Sequence, residues 1–249
     1  MKASTLTKKV SLYLAGIIII IFSWYIYSST KNNELIFPSL SNIIKSLGEL
    51  LEEKRTYTLI ISTLIRIIIS LAISIIISLI ITFLYSIFKD SLNLFRPILT
   101  IFKSTPIIII SIFIWMAFSS DFGPIFVNIL VTIPIIVEGL INGINSIDQD
   151  IVDQFKLEKA SKIKKFLLLE LPINKNTLIM VILQTFGLSF KVMIMAEYLC
   201  QTKNSVGKTL EIIKNNLEMS NLIAWGIVIV ILVSVFEFFI NKISKIIDN

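Results

Sequence analysis

No histidine occurs in the 249 residues, and cysteine occurs once, as Cys200. The first absence removes the commonest metal ligand and general base near neutral pH, so a zinc site and a histidine-dependent hydrolase are excluded. The second excludes an intrachain disulfide. Charge is scarce as well: Asp, Glu, Lys and Arg make up 16% of the chain, against 55% hydrophobic residues and a mean hydropathy of +0.86. That balance lies far outside a soluble globular domain and indicates an integral membrane protein. Nor does any nucleophile, base and orienting group cluster along the chain, so no catalytic residue, metal or cofactor is expected.

What is present in quantity is apolar length. Six runs are long enough, or nearly so, to cross ~30 Å of hydrocarbon at 1.5 Å per residue: residues 10–29, 58–88, 99–118, 122–144, 177–200 and 222–240. An all-α integral membrane protein with about six transmembrane helices follows, as one domain over residues 1–249. The second run is overlong and should tilt or extend beyond the lipid. The first exceeds a typical signal-peptide core, and its Ser28-Ser29-Thr30 exit lacks a small-residue cleavage site, so it should stay as an anchor. Pro106 and Pro134 fall inside the third and fourth runs, where each should kink its helix. After Pro38-Ser39, a short helix should present Ile43, Ile44, Leu47, Leu50 and Leu51 as one apolar face, lying on the membrane interface.

The net charge of +6 would point to nucleic acid in a soluble protein. Here the basic residues lie between apolar runs, where they orient the chain in the membrane and no nucleic-acid partner is implied. With the N-terminus inside, the inner segments, together with Lys103 near the inner end of the third run, hold 14 of the Lys and Arg residues and the outer segments 7. Both termini should therefore be cytoplasmic, in a multi-pass protein.

One long polar island interrupts the second half of the chain, from Asp148 to Pro172. Ser146 and Gln149 have capping-box spacing, and Ile151, Val152 and Phe155 recur at helical intervals. Ala160 and Ser161 break the pattern; Ile163, Phe166 and Leu167 resume it, and Pro172 with Asn174 should mark a chain reversal. Two short amphipathic helices lying across a membrane face are expected, in a loop of about residues 146–172. This stretch resembles the cytoplasmic E-A-A loop of bacterial ABC-importer permeases. Asp153-Gln154-Phe155 stands in place of E-A-A, Lys159-Ala160-Ser161 in place of G-A-S, and Leu171-Pro172 closes it. The likeness continues through Pro38-Ser39, Thr63-Leu64-Ile65-Arg66, Ser104-Thr105-Pro106, Gly143 to Asp148, and Gly187-Leu188-Ser189 with Ala196-Glu197. These follow in order the pattern of nitrate/sulfonate/taurine-type permeases, over the chain from Pro38 to Lys242.

The resemblance implies a homodimer of six-helix permeases in the bacterial inner membrane, two copies of a cytoplasmic ABC ATPase, and an external solute-binding protein. The ATPase contact would fall on Asp153, Phe155, Leu157, Lys159, Ala160, Ser161, Ile163 and Pro172; the basic amphipathic character of this stretch also suits membrane lipid. Gly207-Lys208-Thr209 looks like the end of a phosphate-binding loop, but Thr202 stands where its first glycine would be and no buried strand precedes it. The energy must then come from a separate ATPase. A stand-alone secondary transporter or channel is the alternative; it would need inverted repeats or discontinuous helices around a midplane site, and no internal repeat is evident.

Charges inside apolar runs are costly and usually face a bundle interior or water. Arg66 and Lys191 each lie ~12–13 Å inside the outer end of their runs and should share a layer. Glu197, six positions after Lys191, is turned ~120° away from it and should reach Arg66 or another helix. Glu138 and Glu237 should lie deeper, away from that layer. Arg66, Lys191 and Glu197 are therefore the candidates for a solute pathway, against the alternative of ion pairs that hold helices together.

Overall fold

A computed structural model describes residues 2–31, 34–118, 120–157 and 161–247. Every described element is helical. The chain divides into two compact units, residues 1–56 with 212–229 and residues 57–211 with 230–249.

In the first unit, helix α1 (Lys2–Lys31) contains the apolar stretch Ala15–Thr30. The chain leaving it folds back: Phe37 packs at a tilt against Trp24 and Tyr27, with ring centroids 5.3 and 4.5 Å apart, and Trp24 Nε1 donates to the Pro38 carbonyl at 3.2 Å. Ser39 then caps α2 (Leu40–Glu52), its hydroxyl accepting from the Asn42 amide at 3.3 Å. The apolar face of α2 is narrower than expected. Ile43 and Leu50 are buried with Ser46, whereas Ile44 and Leu51 are exposed.

The second unit is built around α6 (Gly123–Asn145). Its buried residues face three groups of neighbours. Ile129, Ile133, Val137 and Ile141 pack with Ile81 and Tyr85 of α3 (Lys54–Ile87) and Leu99 of α4 (Ser91–Ser104). Val127 packs with Ile110 and Ile114 of α5 (Ile107–Ala117) and with Val192 and Ala196 of α10 (Lys175–Cys200). Third, a ladder of small polar residues on α3 meets α6: Asn128 Nδ2 donates to Ser70 Oγ at 2.6 Å, and the hydroxyls of Ser74 and Thr132 are 2.7 Å apart. Without a hydrophobic drive between helices in lipid, small side chains and interhelical hydrogen bonds supply the contact. The spacing Gly139-x-x-x-Gly143 serves α10 in the same way. A Cβ on Gly139 would stand 2.4 Å from Val181 Cγ2, and one on Gly143 2.5 Å from Asn174 Oδ1.

Helices α3, α6, α10 and the segment Met219–Phe239 of α12 (Met219–Ile247) are long and apolar enough to cross a membrane. The 34 residues of α3 would reach ~50 Å, so the excess length of that run is real. The run at residues 99–118 is different. It does not form one kinked span: α4 and α5 meet at 103° across Thr105-Pro106. Proline disfavours a helical conformation in the residue before it, and Thr105 is extended at φ −76°, ψ 129°. At 11 residues α5 reaches ~16 Å, about half the hydrocarbon thickness. Pro134, by contrast, stays inside a continuous α6 and is buried there.

Between α6 and α10 lie α7 (Gln149–Leu157) and α8 (Lys162–Lys165). From α8 the chain passes through a π-helical turn, Phe166–Glu170, and α9 (Leu171–Ile173). After α10, α11 (Val206–Asn215) precedes α12.

Candidate functional site

Three places in the second unit gather the polar chemistry. The first is the stretch between α6 and α10. Ser146 does not start α7; it ends α6, its hydroxyl donating to the Gly143 carbonyl at 2.7 Å. The start of α7 is held instead by Asp148, whose Oδ1 accepts from the Asp150 amide at 3.0 Å. Aspartate is as good a cap as serine, and it sits one residue before the helix. Asp153 is exposed and accepts from Gln149 Nε2 at 3.2 Å; Phe155 is half-buried. The Leu157 backbone closes α7, while Lys159 and Ala160 lie outside the described residues. Ser161 caps α8, accepting from the Lys164 amide at 3.3 Å.

From there α8 is anchored at both ends. Lys162 Nζ donates to the Ile87 carbonyl at the end of α3 at 2.9 Å, and Phe166 sets its edge on Phe83 at 5.2 Å. Glu170, 1% exposed, pairs with Lys165 at 2.6 Å. Ile163, Leu167 and Leu168 are left exposed beside Lys162 and Lys164. Pro172, also exposed, does not reverse the chain. Helical hydrogen bonds run through this point, from the Asn174 amide to Glu170 and from the Leu178 amide to Asn174, and lead directly into α10. Proline is tolerated there because it occupies the first turn of α9.

The second place surrounds Glu197, which has no solvent exposure. Its carboxylate accepts from Thr63 Oγ1 at 3.0 Å, Arg66 Nη1 at 3.0 Å and the Gly207 amide at 3.2 Å. Thr63 Oγ1 in turn accepts from the Val206 amide at 3.2 Å, and Arg66 Nη2 donates to the Lys203 carbonyl at 3.2 Å. The result ties α3, α10 and the turn before α11 together. A buried carboxylate is tolerated when several donors replace its water, as these do. Gly207 is required here by space: a Cβ would stand 2.4 Å from the Tyr198 nitrogen and 2.5 Å from the Ile194 carbonyl oxygen. Packing against Glu197 therefore accounts for the glycine of the Gly-Lys-Thr triplet, and Lys208 pairs with Glu211.

The third place is an open cleft of about 500 Å³ along α10, lined by Met180, Gln184, Gly187 and Lys191 with Glu237 of α12. These α10 residues recur at four, three and four positions, a single helical stripe. Lys191 and Glu237 are both exposed. The structure thus brings Arg66 and Glu197 together and sets Lys191 apart from them, on a different face of α10 that lines the cleft. Glu237 is not remote from Lys191, as depth counted along a separate helix suggests; it lines the same cleft. Gln184 and Gly187 were legible as neighbours of Lys191 from spacing alone, whereas Glu237 and the Thr63 and Gly207 contacts needed the packing of distant segments.

Residues 74–249 match the model of the binding-protein-dependent transport system inner membrane component family. The chain belongs to this family. It is a membrane permease component of the ABC-importer class, with the α7–α9 stretch and the α10 cleft inside the matched region. A sequence search of curated proteins returns no match. Among solved structures, the permease is similar in fold to a bacterial ABC transporter involved in the import of the acidic polysaccharide alginate. The TM-score is 0.65 at 16% identity, covering 100% of both chains. A second similar structure is a bacterial alginate ABC transporter in complex with alginate pentasaccharide-bound periplasmic protein, with a TM-score of 0.62 and 16% identity over 96% of each chain.

Proposed function

We propose that this permease subunit acts as a homodimer of the nitrate/sulfonate/taurine type in the bacterial inner membrane, both termini cytoplasmic and the whole chain one permease domain. An external binding protein delivers a small solute, and two copies of a cytoplasmic ATPase docked on residues 146–172 drive its entry. The observation that carries this reading is the family match over residues 74–249, which spans both the docking stretch and the cleft. Docking is supported by the exposed Ile163, Leu167 and Leu168 beside Lys162 and Lys164: a few apolar anchors with charges at their rim suit insertion into a partner groove. Asp153, Phe155, Leu157, Lys159, Ala160, Ser161 and Pro172 would complete that surface.

Along the solute's route, Lys191 is the candidate contact, because it is open to the cleft while Arg66 and Glu197 are occupied with each other. The broken α4–α5 segment is a discontinuity of the kind a secondary transporter uses, and it keeps that alternative testable. Vesicles containing the permease should accumulate solute from its binding protein only when the ATPase and ATP are present. Accumulation driven by an ion gradient without the ATPase would replace the importer reading with a carrier.

A further inference from the structure

Lys191 and Glu237 face one cleft, both exposed, and among the described residues neither has an ion-pair partner. Lys191 lies nine residues, ~13 Å, from the end of α10, where an ionised side chain is retained only if it meets water, a partner or a ligand. Glu237 Oε1 lies 3.5 Å from the point that a Cβ on Gly187 would occupy. Its carboxylate therefore sits over the glycine, one helical turn (~6 Å along the axis) from the Lys191 backbone. Because residue 187 has no side chain, the space between the two charges stays open. Gln184 adds an amide with both donor and acceptor on the same stripe, and Met180, Leu183 and Leu188 supply apolar wall.

From this arrangement we infer that the cleft is a binding site for a small zwitterion. Lys191 takes the anionic end, Glu237 the cationic end, and Gln184 sets its orientation. This rests on the reading that solute passes along α10. A simple anion attracted to Lys191 would meet the Glu237 carboxylate a turn away, and a simple cation would meet Lys191; like-charge juxtaposition of this kind rejects the wrong ligand. A solute with both charges satisfies both groups at once. About 500 Å³ accommodates a molecule of several heavy atoms with a short aliphatic link between its ends.

The test uses the purified full-length permease in lipid nanodiscs, with unfolding followed by heating. β-Alanine, γ-aminobutyrate and glycine betaine are added at millimolar concentration, with propionate and propylamine as single-charge controls. The expected result is a rise of about 2–4 °C in Tm with at least one zwitterion and none with the controls. Lys191→Met and Glu237→Gln should each abolish the rise. An equal rise with propionate or propylamine, or a rise that survives in both variants, overturns the proposal. So does the absence of any rise with all three zwitterions. If each single variant instead lowers the yield of folded protein and the swap K191E/E237K restores it, the two side chains are a structural pair and the proposal fails. The measurement needs neither ATPase nor binding protein, so it fails or succeeds independently of ATP-driven uptake, which tests the importer reading.

Discussion

Glu197 is the residue on which most of the local hydrogen bonding converges, and what its removal leaves behind decides its cost. Glu197→Ala removes the acceptor shared by Arg66 Nη1, the Thr63 hydroxyl and the Gly207 amide, leaving Arg66 only its backbone carbonyl contacts, whereas Arg66→Met leaves the carboxylate two of its donor residues. Breaking a buried pair costs ~3–5 kcal/mol, and Arg66, 16% exposed, can recover some water. Glu197→Ala should therefore cost about 3 kcal/mol and Glu197→Gln, which keeps an acceptor, clearly less. Thermal unfolding in detergent measures both; equal losses would mean that packing rather than charge holds the site. Two glycines bracket the effect of space. Gly207→Ala must push backbone atoms at 2.4 and 2.5 Å and should cost at least ~1–3 kcal/mol. Gly48→Ala, in the middle of α2 with nothing within 4 Å, should stabilise by about 0.5–1 kcal/mol.

At the scale of elements, hydropathy and spacing placed helices α1, α2, α3, α6, α10 and α12 because each is a long run or a capped amphipathic one, and those signals are local. The same averaging hid the break between α4 and α5. Residues 99–118 read as one apolar run, although Lys103 and Thr105-Pro106 mark the point where the chain turns by 103°. At Ser146 the spacing favoured a serine cap, but the residue was already engaged at the end of α6, and Asp148 took the role. Glu237 escaped because its depth was counted along α12 alone, while its meeting with Lys191 depends on how α12 lies against α10. The α7–α9 stretch was legible as two short helices, yet its exposed apolar side chains could be sorted from buried ones only by packing: Phe166 is buried under Phe83 and Ile163 is 53% exposed. Ile163→Glu should then leave the permease folded while weakening ATPase retention by about 10–100-fold, the loss of one apolar anchor worth ~1.4–2.8 kcal/mol. Copurification of the ATPase at the wild-type ratio would remove Ile163 from the docking surface.

For the whole molecule, orientation decides whether the α7–α9 stretch can meet an ATPase. The lysine and arginine asymmetry, 14 against 7, favours that stretch inside. The chain provides a convenient background for testing it. Its one cysteine, Cys200, has no solvent exposure, so introduced cysteines can be labelled against a nearly silent wild type. Lys164 and Lys203 are both exposed and lie on opposite sides of α10 in the sequence. A span that crosses once between them must put them on different faces of the membrane. In intact cells an impermeant thiol reagent should modify Lys203→Cys and spare Lys164→Cys, and lysis should make the second reactive. Labelling of Lys164→Cys alone in intact cells would place residues 149–173 outside, where no ATP-hydrolysing partner could reach them, and the coupling role would have to be sought on another loop.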